Sequence, residues 1–265
     1  MYQFNYLKPA SVVEAASMLA QHPDARLLAG GQSLIAAMKL RLSQPSDLID
    51  LSGLADLCGI KVDATTVTIG AMTRHADVAH STDVKKAIPA LASLAHGIGD
   101  RMVRNMGTIG GSIAHDDPAA DYPAAALGLG ATVNTTKRKI AGDDFFKGMY
   151  ETALEPGEII TSVSFPIPKR AAYAKFHNPA SRYALVGVFV ADTAGGPRVA
   201  VTGAAGSVFR VTAMEDALKA KFDPASVANV KVPAEGLNSD LHASAEYRSH
   251  LITVMAKRAV AAATG

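Results

Sequence analysis

The chain has 265 residues, enough to bury roughly 70–75% of its unfolded surface, and 49% hydrophobic residues with 6% aromatics exclude a disordered or low-complexity chain. Its 26 lysines and arginines against 24 aspartates and glutamates leave a formal charge of +2, with no basic run beyond Lys137-Arg138-Lys139, which excludes nucleic-acid binding through a phosphate footprint. The single cysteine, Cys58, cannot close an internal disulfide or ligate an iron–sulfur cluster, so any metal redox centre belongs to a partner.

In chain order, Ser11-x-x-Glu14 forms a capping box for a helix to Gln21, with Val13, Ala16, Leu19 and Ala20 at helical spacing and Pro23 closing it. Arg26 to Ala29 reads as a strand, Gly30-Gly31 as a tight turn, and Ser33 to Leu42 as a helix ending before Pro45. Asp47–Leu51, Leu57–Val62 and Thr66–Gly70 read as strands, with Val67 and Ile69 sharing one face. Thr73 is placed to cap a short helix to His80, and Val84 to His96 reads as one longer helix. Residues 107–123 are dense in turn formers and threaded with small apolar residues, the pattern of a buried loop that holds a ligand.

A helix follows from Pro123 to Leu129, with Asp121 as its cap or on the ligand, then strands at Ala131–Thr135 and Ile159–Phe165. Pro166-Ile167-Pro168 marks a linker. Beyond it, Tyr173–Phe176, Tyr183–Ala191 and Arg198–Ala205 read as strands around a Gly195-Gly196 hairpin. Thr212-x-x-Glu215 caps the next helix, and a last helix runs from Ser244 to Ala262. No repeat of 20 to 50 residues is present, so the expectation is an α+β architecture of two domains joined by one linker. No charged leader with an apolar run and no apolar stretch of ~18 residues occurs, which sets the expectation of a cytoplasmic protein.

Standard catalytic motifs are missing: there is no Gly-x-Gly-x-x-Gly after a strand, no Gly-x4-Gly-Lys-Ser/Thr, no His-Glu-x-x-His and no Gly-x-Ser-x-Gly. Two glycine pairs stand out instead, in Leu28-Ala29-Gly30-Gly31-Gln32-Ser33-Leu34 and Gly107-Thr108-Ile109-Gly110-Gly111-Ser112. Without Cβ atoms a backbone can approach a diphosphate, and successive N–H groups can form an anion-binding nest. Each pair can also simply make a tight turn. His115, Asp116 and Asp117 are consecutive, and His75 and His80 are five apart, so neither group has metal-ligand spacing. Cys58, between Leu57 and Gly59, reads as a small buried residue.

These glycine segments, with Ile69-Gly70-Ala71-Met72-Thr73, Arg104-Asn105-Met106 and Ala114-His115-Asp116-Asp117-Pro118-Ala119-Ala120-Asp121, resemble the FAD-binding medium subunit of molybdenum hydroxylases. That group includes aerobic carbon monoxide dehydrogenase and the xanthine dehydrogenase family. Asp144-Phe145-Phe146-Lys147-Gly148, Tyr173-Ala174-Lys175-Phe176 and Ser244-Ala245-Glu246-Tyr247-Arg248 extend the resemblance over nearly the whole chain. It implies a two-lobed FAD-binding domain of the vanillyl-alcohol-oxidase (PCMH) type over residues 1–170, with lobes of about 1–53 and 54–170, then a small α+β C-terminal domain over 171–265.

By the resemblance, Leu27, Leu28, Ala29, Gly30, Gly31, Gln32, Ser33 and Leu34, together with Thr108, Ile109, Gly110, Gly111 and Ser112, hold the FAD pyrophosphate through main-chain donors. Asp121 contacts the adenosine side, Ile98 and Ile160 line the adenine and flavin cavity, and Lys175 lies near the isoalloxazine. Tyr183 covers one flavin face and gates access of the acceptor. Asn178-Pro179-Ala180-Ser181-Arg182 departs from the xanthine dehydrogenase type, which carries acidic residues associated with NAD there, so the terminal acceptor stays open.

The implied function is electron transfer. A small subunit with [2Fe-2S] clusters and a large molybdopterin subunit act as partners in a dimer of heterotrimers, and hydroxylation occurs on the large subunit. Carbon monoxide, an aldehyde, a purine or an N-heterocycle all remain open as substrate. A stand-alone FAD-dependent oxidase and a cofactor-free interaction module of the same fold are the alternatives.

Overall fold

The computed structural model describes residues 1–265. It opens with a three-stranded parallel sheet in which β3 (Asp47–Asp50) lies between β1 (Asn5–Leu7) and β2 (Arg26–Leu28), with α1 (Val12–Gln21) and α2 (Leu34–Lys39) in the connections. β3 is buried at every residue because both neighbours and α1 cover it. Ser11 caps α1 by accepting the Glu14 N–H, while the Glu14 carboxylate reaches one residue further back than a capping box requires, to the Ala10 N–H.

A second, antiparallel sheet follows in the order β4 (Ile60–Val62), β5 (Thr66–Gly70), β10 (Ile160–Pro166), β6 (Thr132–Thr135) and β7 (Lys139–Ala141). Val67 and Ile69 of β5 face inward, as their alternation predicts. Between β5 and β6 run six helices: α3 (His75–His80), α4 (Thr82–Ala87), α5 (Pro89–His96), α6 (Arg101–Met106), α7 (Ile109–His115) and α8 (Tyr122–Leu129). After β7 come α9 (Gly142–Phe145) and the small hairpin of β8 (Phe146–Gly148) and β9 (Glu151–Thr152).

The last sheet has the order β11 (Arg170–His177), β12 (Ala184–Thr193), β13 (Gly196–Thr202) and β14 (Phe209–Arg210), followed by α10 (Thr212–Ala220), α11 (Pro224–Val227) and α12 (Ala245–Thr264). β12 is covered on both faces. Val186, Val188 and Val190 join the core formed with α10 and α12, whereas Phe189 and Ala191 join the core built around α8. No helix is long and apolar enough to cross a membrane.

Several local expectations are corrected. The helix expected over Val84–His96 breaks at Ile88, because Pro89 has no N–H to donate and pushes the residue before it out of the helical region. The strand expected from Leu57 begins only at Ile60, after a 3₁₀ turn at Ala55–Leu57, and the helix expected to Leu42 stops at Lys39. Thr73 does not cap α3; its hydroxyl holds both the N–H and the carbonyl of Gly59. Thr212 lies inside α10, and Glu215 accepts the Val199 N–H and pairs with Arg210 instead of closing a cap.

The 107–123 segment is not all loop, since α7 occupies its first half. Cys58 is exposed: the tight approach of Gly70 to the Leu57 carbonyl is made by backbone, which leaves the thiol outside.

Candidate functional site

The first glycine loop leaves β2 and turns at Gly31, whose φ of +70° favours glycine. The N–H groups of Ala29, Gly30, Gly31, Gln32, Ser33 and Leu34 donate to no acceptor in the chain, while the Gly31 carbonyl accepts the Ile35 N–H of α2. Six successive free donors around one turn are chemically suited to an anion. Leu27 and Leu28 belong to β2 and are half-buried beside β3.

The second loop is organised differently. Thr108 caps α7 by accepting the Gly111 N–H at 3.2 Å. Ile109 donates to Thr73 at 3.1 Å, Gly110 to Ala71 at 2.8 Å and Ser112 to Thr108 at 3.0 Å. The main-chain donors of 109–112 are therefore engaged within the chain. The polar groups this loop leaves free are the Thr108 N–H and the half-buried Ser112 hydroxyl.

The two loops press on each other. A Cβ at Gly30 would lie 2.2 Å from the Met106 carbonyl oxygen, and one at Gly111 would lie 3.4 Å from Ala29 Cβ and 3.0 Å from the Thr108 hydroxyl. Gly110 is equally confined, with a Cβ there 2.5 Å from that of Ala71. At Gly30 and Gly110 the missing side chain thus permits backbone packing within the protein, a role the glycine pairs alone do not distinguish from ligand approach.

From this junction α7, roughly 10 Å long at ~1.5 Å per residue, leads to a second group of polar residues. Asp121 accepts the Lys175 ammonium at 2.9 Å on one oxygen and the Tyr173 hydroxyl at 2.5 Å on the other, and Lys175 also donates to the Gly97 carbonyl at 3.3 Å. Both charged side chains are only 5% exposed. Burial pushes the Asp121 carboxyl up, opposed by the Lys175 charge and the hydrogen bonds.

The resemblance puts these two residues at opposite ends of a cofactor, yet they form one ion pair. Asp121 makes no side-chain cap to α8, and Lys175 is no solvated strand end. Ile98 follows Gly97 and is half-buried beside this pair, whereas Ile160, 5% exposed at the start of β10, packs into the central core.

Tyr183 is half exposed and lines a cleft of about 290 Å³ with Asp117, Tyr150, Asn178 and Arg248. Burial, then the charges of Asp117, Tyr150 and Asp121, push its phenol up, which ties the cleft electrostatically to the Asp121 pair. Beside it sits Asp116, which the sequence brings forward in the His115-Asp116-Asp117 run that lacks metal-ligand spacing. It is 1% exposed at a left-handed φ of +47°, neither carboxyl oxygen has a partner, and burial with the adjacent Asp117 pushes it up to about 7.

Residues 2–168 match the family described as "FAD binding domain in molybdopterin dehydrogenase". The chain belongs to that family. It is 36% identical to the nicotine 6-hydroxylase medium subunit of Paenarthrobacter nicotinovorans, covering 96% of this chain and 95% of the relative. It is also 36% identical to the carbon monoxide dehydrogenase medium chain of Afipia carboxidovorans, covering 97% and 95%. Reconstituted CO dehydrogenase from Oligotropha carboxidovorans superposes with a TM-score of 0.91 at 34% identity, over 99% of this chain and 98% of that one.

As a member of the molybdopterin-dehydrogenase FAD family, the chain is an FAD-binding subunit of an oxidoreductase with the PCMH-type fold, and its relatives are medium chains of multi-subunit enzymes. The residues present suit that cofactor. A diphosphate needs main-chain donors that the protein does not already use, and the segment 29–34 holds six of them.

Proposed function

We propose that this chain carries FAD between the [2Fe-2S] clusters of a small partner subunit and an external electron acceptor, while hydroxylation proceeds on a large molybdopterin-bearing partner. The observation that carries the reading is the row of free N–H groups from Ala29 to Leu34, pressed against the second glycine loop. These groups hold the diphosphate. Thr108 and Ser112 add an N–H and a hydroxyl, and Ile109, Gly110 and Gly111 shape the wall rather than donate.

The Asp121–Lys175 pair belongs at the flavin end in this reading, because Asp121 is ion-paired at 2.9 Å with Lys175, the residue that the resemblance puts near the isoalloxazine. Asp121 fixes the ammonium of Lys175, which keeps a positive charge beside the ring. Tyr183 offers its aromatic face, Ile98 gives an apolar border, and Ile160 supports from the core. When bound, flavin takes up and releases electrons singly or in pairs, which suits a relay between one-electron clusters and a two-electron acceptor.

The division into residues 1–170 for cofactor binding, with lobes of about 1–53 and 54–170, and 171–265 for the C-terminal domain follows the same reading. So do a cytoplasmic location and a dimer of heterotrimers. The test is the absorption spectrum of the purified chain before and after incubation with FAD, with the released cofactor identified by mass. Flavin bands with an FAD mass are expected, and Gly31→Val, which strains the φ of +70° and crowds Ile35, is expected to lose them. Normal flavin content in that folded variant refutes the placement of the first loop.

A further inference from the structure

We propose that Tyr173 is a positioning residue for the flavin: its hydroxyl holds the Asp121 carboxylate against Lys175, and through that pair it sets the reduction potential of bound FAD. The inference rests on the reading above that places Lys175 beside the ring, and it adds a residue that acts through Asp121.

A carboxylate has two oxygens to satisfy, and a buried ion pair holds its charge only when the remaining lone pairs find donors. Lys175 takes one oxygen of Asp121 at 2.9 Å, and the Tyr173 hydroxyl donates to the other at 2.5 Å. No other group of the chain donates to this side chain, so the phenol alone supports the second oxygen. An ammonium has three protons. Lys175 gives one to Asp121 and one to the Gly97 carbonyl, which leaves one for a ligand.

Three adjacent strands build this arrangement. Lys175 of β11 lies opposite Gly187 of β12, and Gly187 lies opposite Thr202 of β13. Thr202 donates its hydroxyl to the carbonyls of Pro118 and Ala120, at 3.0 and 2.6 Å, and the Gly203 N–H donates to Pro118 at 2.8 Å. The sheet therefore grips the backbone that leads into Asp121. Tyr173, on the same face of β11 as Lys175, leans over Gly187, where a Cβ would strike the phenol hydroxyl. Its ring stacks on Phe189 with 6.2 Å between centres. Gly187 and Phe189 thus fix the hydroxyl from the neighbouring strand.

Charge gives the hydroxyl its effect. Burial favours a neutral Asp121, while the Lys175 charge, the hydrogen bonds from Tyr173 and Lys175, and His177 favour the carboxylate. Burial and the Asp121 charge push the Tyr173 phenol well up, so it stays protonated and remains the donor. Tyr122 on α8 and Tyr183 also sense this carboxylate, and both are pushed up, so they stay neutral. Without the phenol the balance at Asp121 tips toward the proton. A protonated Asp121 leaves the Lys175 ammonium uncompensated, and added positive charge favours the reduced, more electron-rich flavin.

The test is spectroelectrochemical titration of the FAD-loaded full chain at pH 6 and pH 9, for wild type and for Tyr173→Phe, which removes the hydroxyl and keeps the ring against Phe189. Tyr173→Met, which also lacks the hydroxyl, serves if that variant does not fold. The charge of His177 is common to all these proteins and cancels in the comparison. At pH 6 the variant is expected to hold at least tenfold more reduced flavin relative to oxidised at the wild-type midpoint, a positive shift of ~30 mV for a two-electron couple. At pH 9 it is expected to match wild type, with FAD content by absorbance unchanged at both. In an Asp121→Asn background the same substitution is expected to add nothing, because its route is gone. The proposal is overturned by a wild-type potential at pH 6, by a shift of equal size at both pH values, by a shift that persists beside Asp121→Asn, or by loss of FAD from the folded variant. Lys175→Gln tests the underlying reading separately: a potential unmoved by that substitution at either pH refutes the placement of Lys175 beside the ring.

Discussion

Asp116 and His75 are buried groups whose protonation is displaced in opposite directions. Burial holds the Asp116 carboxyl at about 7 against an ordinary 3.8, so the folded chain binds an extra proton between those values and loses stability as pH rises through them. Burial followed by the Arg104 charge pushes His75 down to about 4 from 6.5, so its contribution is present above 6.5 and lost as pH falls toward 4. Between about 4 and 6.5 the two slopes oppose each other. Asp116→Asn removes one of them: the variant is expected to melt several degrees above wild type at pH 8, and to lose stability more steeply than wild type from pH 6.5 to 4.5. Melting curves across that range check both signs. A second contrast concerns glycines: Gly30→Ala drives a Cβ into the Met106 carbonyl and should both lower the melting temperature and release FAD, whereas Gly53, with nothing within 4 Å of its Cβ position, should accept alanine within ~0.5 kcal/mol. The glycine loops were legible as a site because their composition is unusual. Their division of labour was not, since whether an N–H is free depends on residues such as Thr73 and Ala71, which only the folded chain brings near.

At the scale of elements, periodicity and caps located α1, β3, β5, β6, β10 and α12 to within a few residues. The misses share a cause. Ile88, Thr73 and Thr212 sit where a local cue competes with a stronger restraint: Pro89 in the first case, the Gly59 backbone in the second, and the Arg210 and Val199 partners of Glu215 in the third. α7 was hidden because Gly110, Gly111 and Ser112 are poor helix formers in isolation, and packing against Ala71 overrides that preference. The same logic predicts the result at α8, where a Cβ on Gly128 would lie 2.6 Å from the Phe189 ring. Alanine there gains ~1 kcal/mol of helix propensity but forces α8 off β12, a strain of ~1–3 kcal/mol, so Gly128→Ala should lower the urea midpoint modestly. Removing the α12 cap by Ser244→Ala should cost about 1 kcal/mol by the same measurement, with the fold retained.

Over the whole molecule, the core around α8 includes Phe189, Ala191, Ala200 and Val208, so the family-matched segment 2–168 shares its interior with the sheet that follows. The buried Asp121–Lys175 pair crosses the same seam over 54 residues of sequence, a distance at which no local pattern reveals a partner. A fragment ending at residue 168 would expose the α8 face and strip Asp121 of both its partners, Tyr173 and Lys175, and is expected to aggregate, while the full chain should unfold in one calorimetric transition. The free donors from Ala29 to Leu34 have a consequence of another kind. Amide protons that lack an acceptor exchange with deuterated solvent quickly, so this segment should label within seconds in cofactor-free protein and become protected when a diphosphate occupies it. Residues 109–112, whose protons are already held within the chain, should label slowly in both states, giving the protein an internal clock for its own loading.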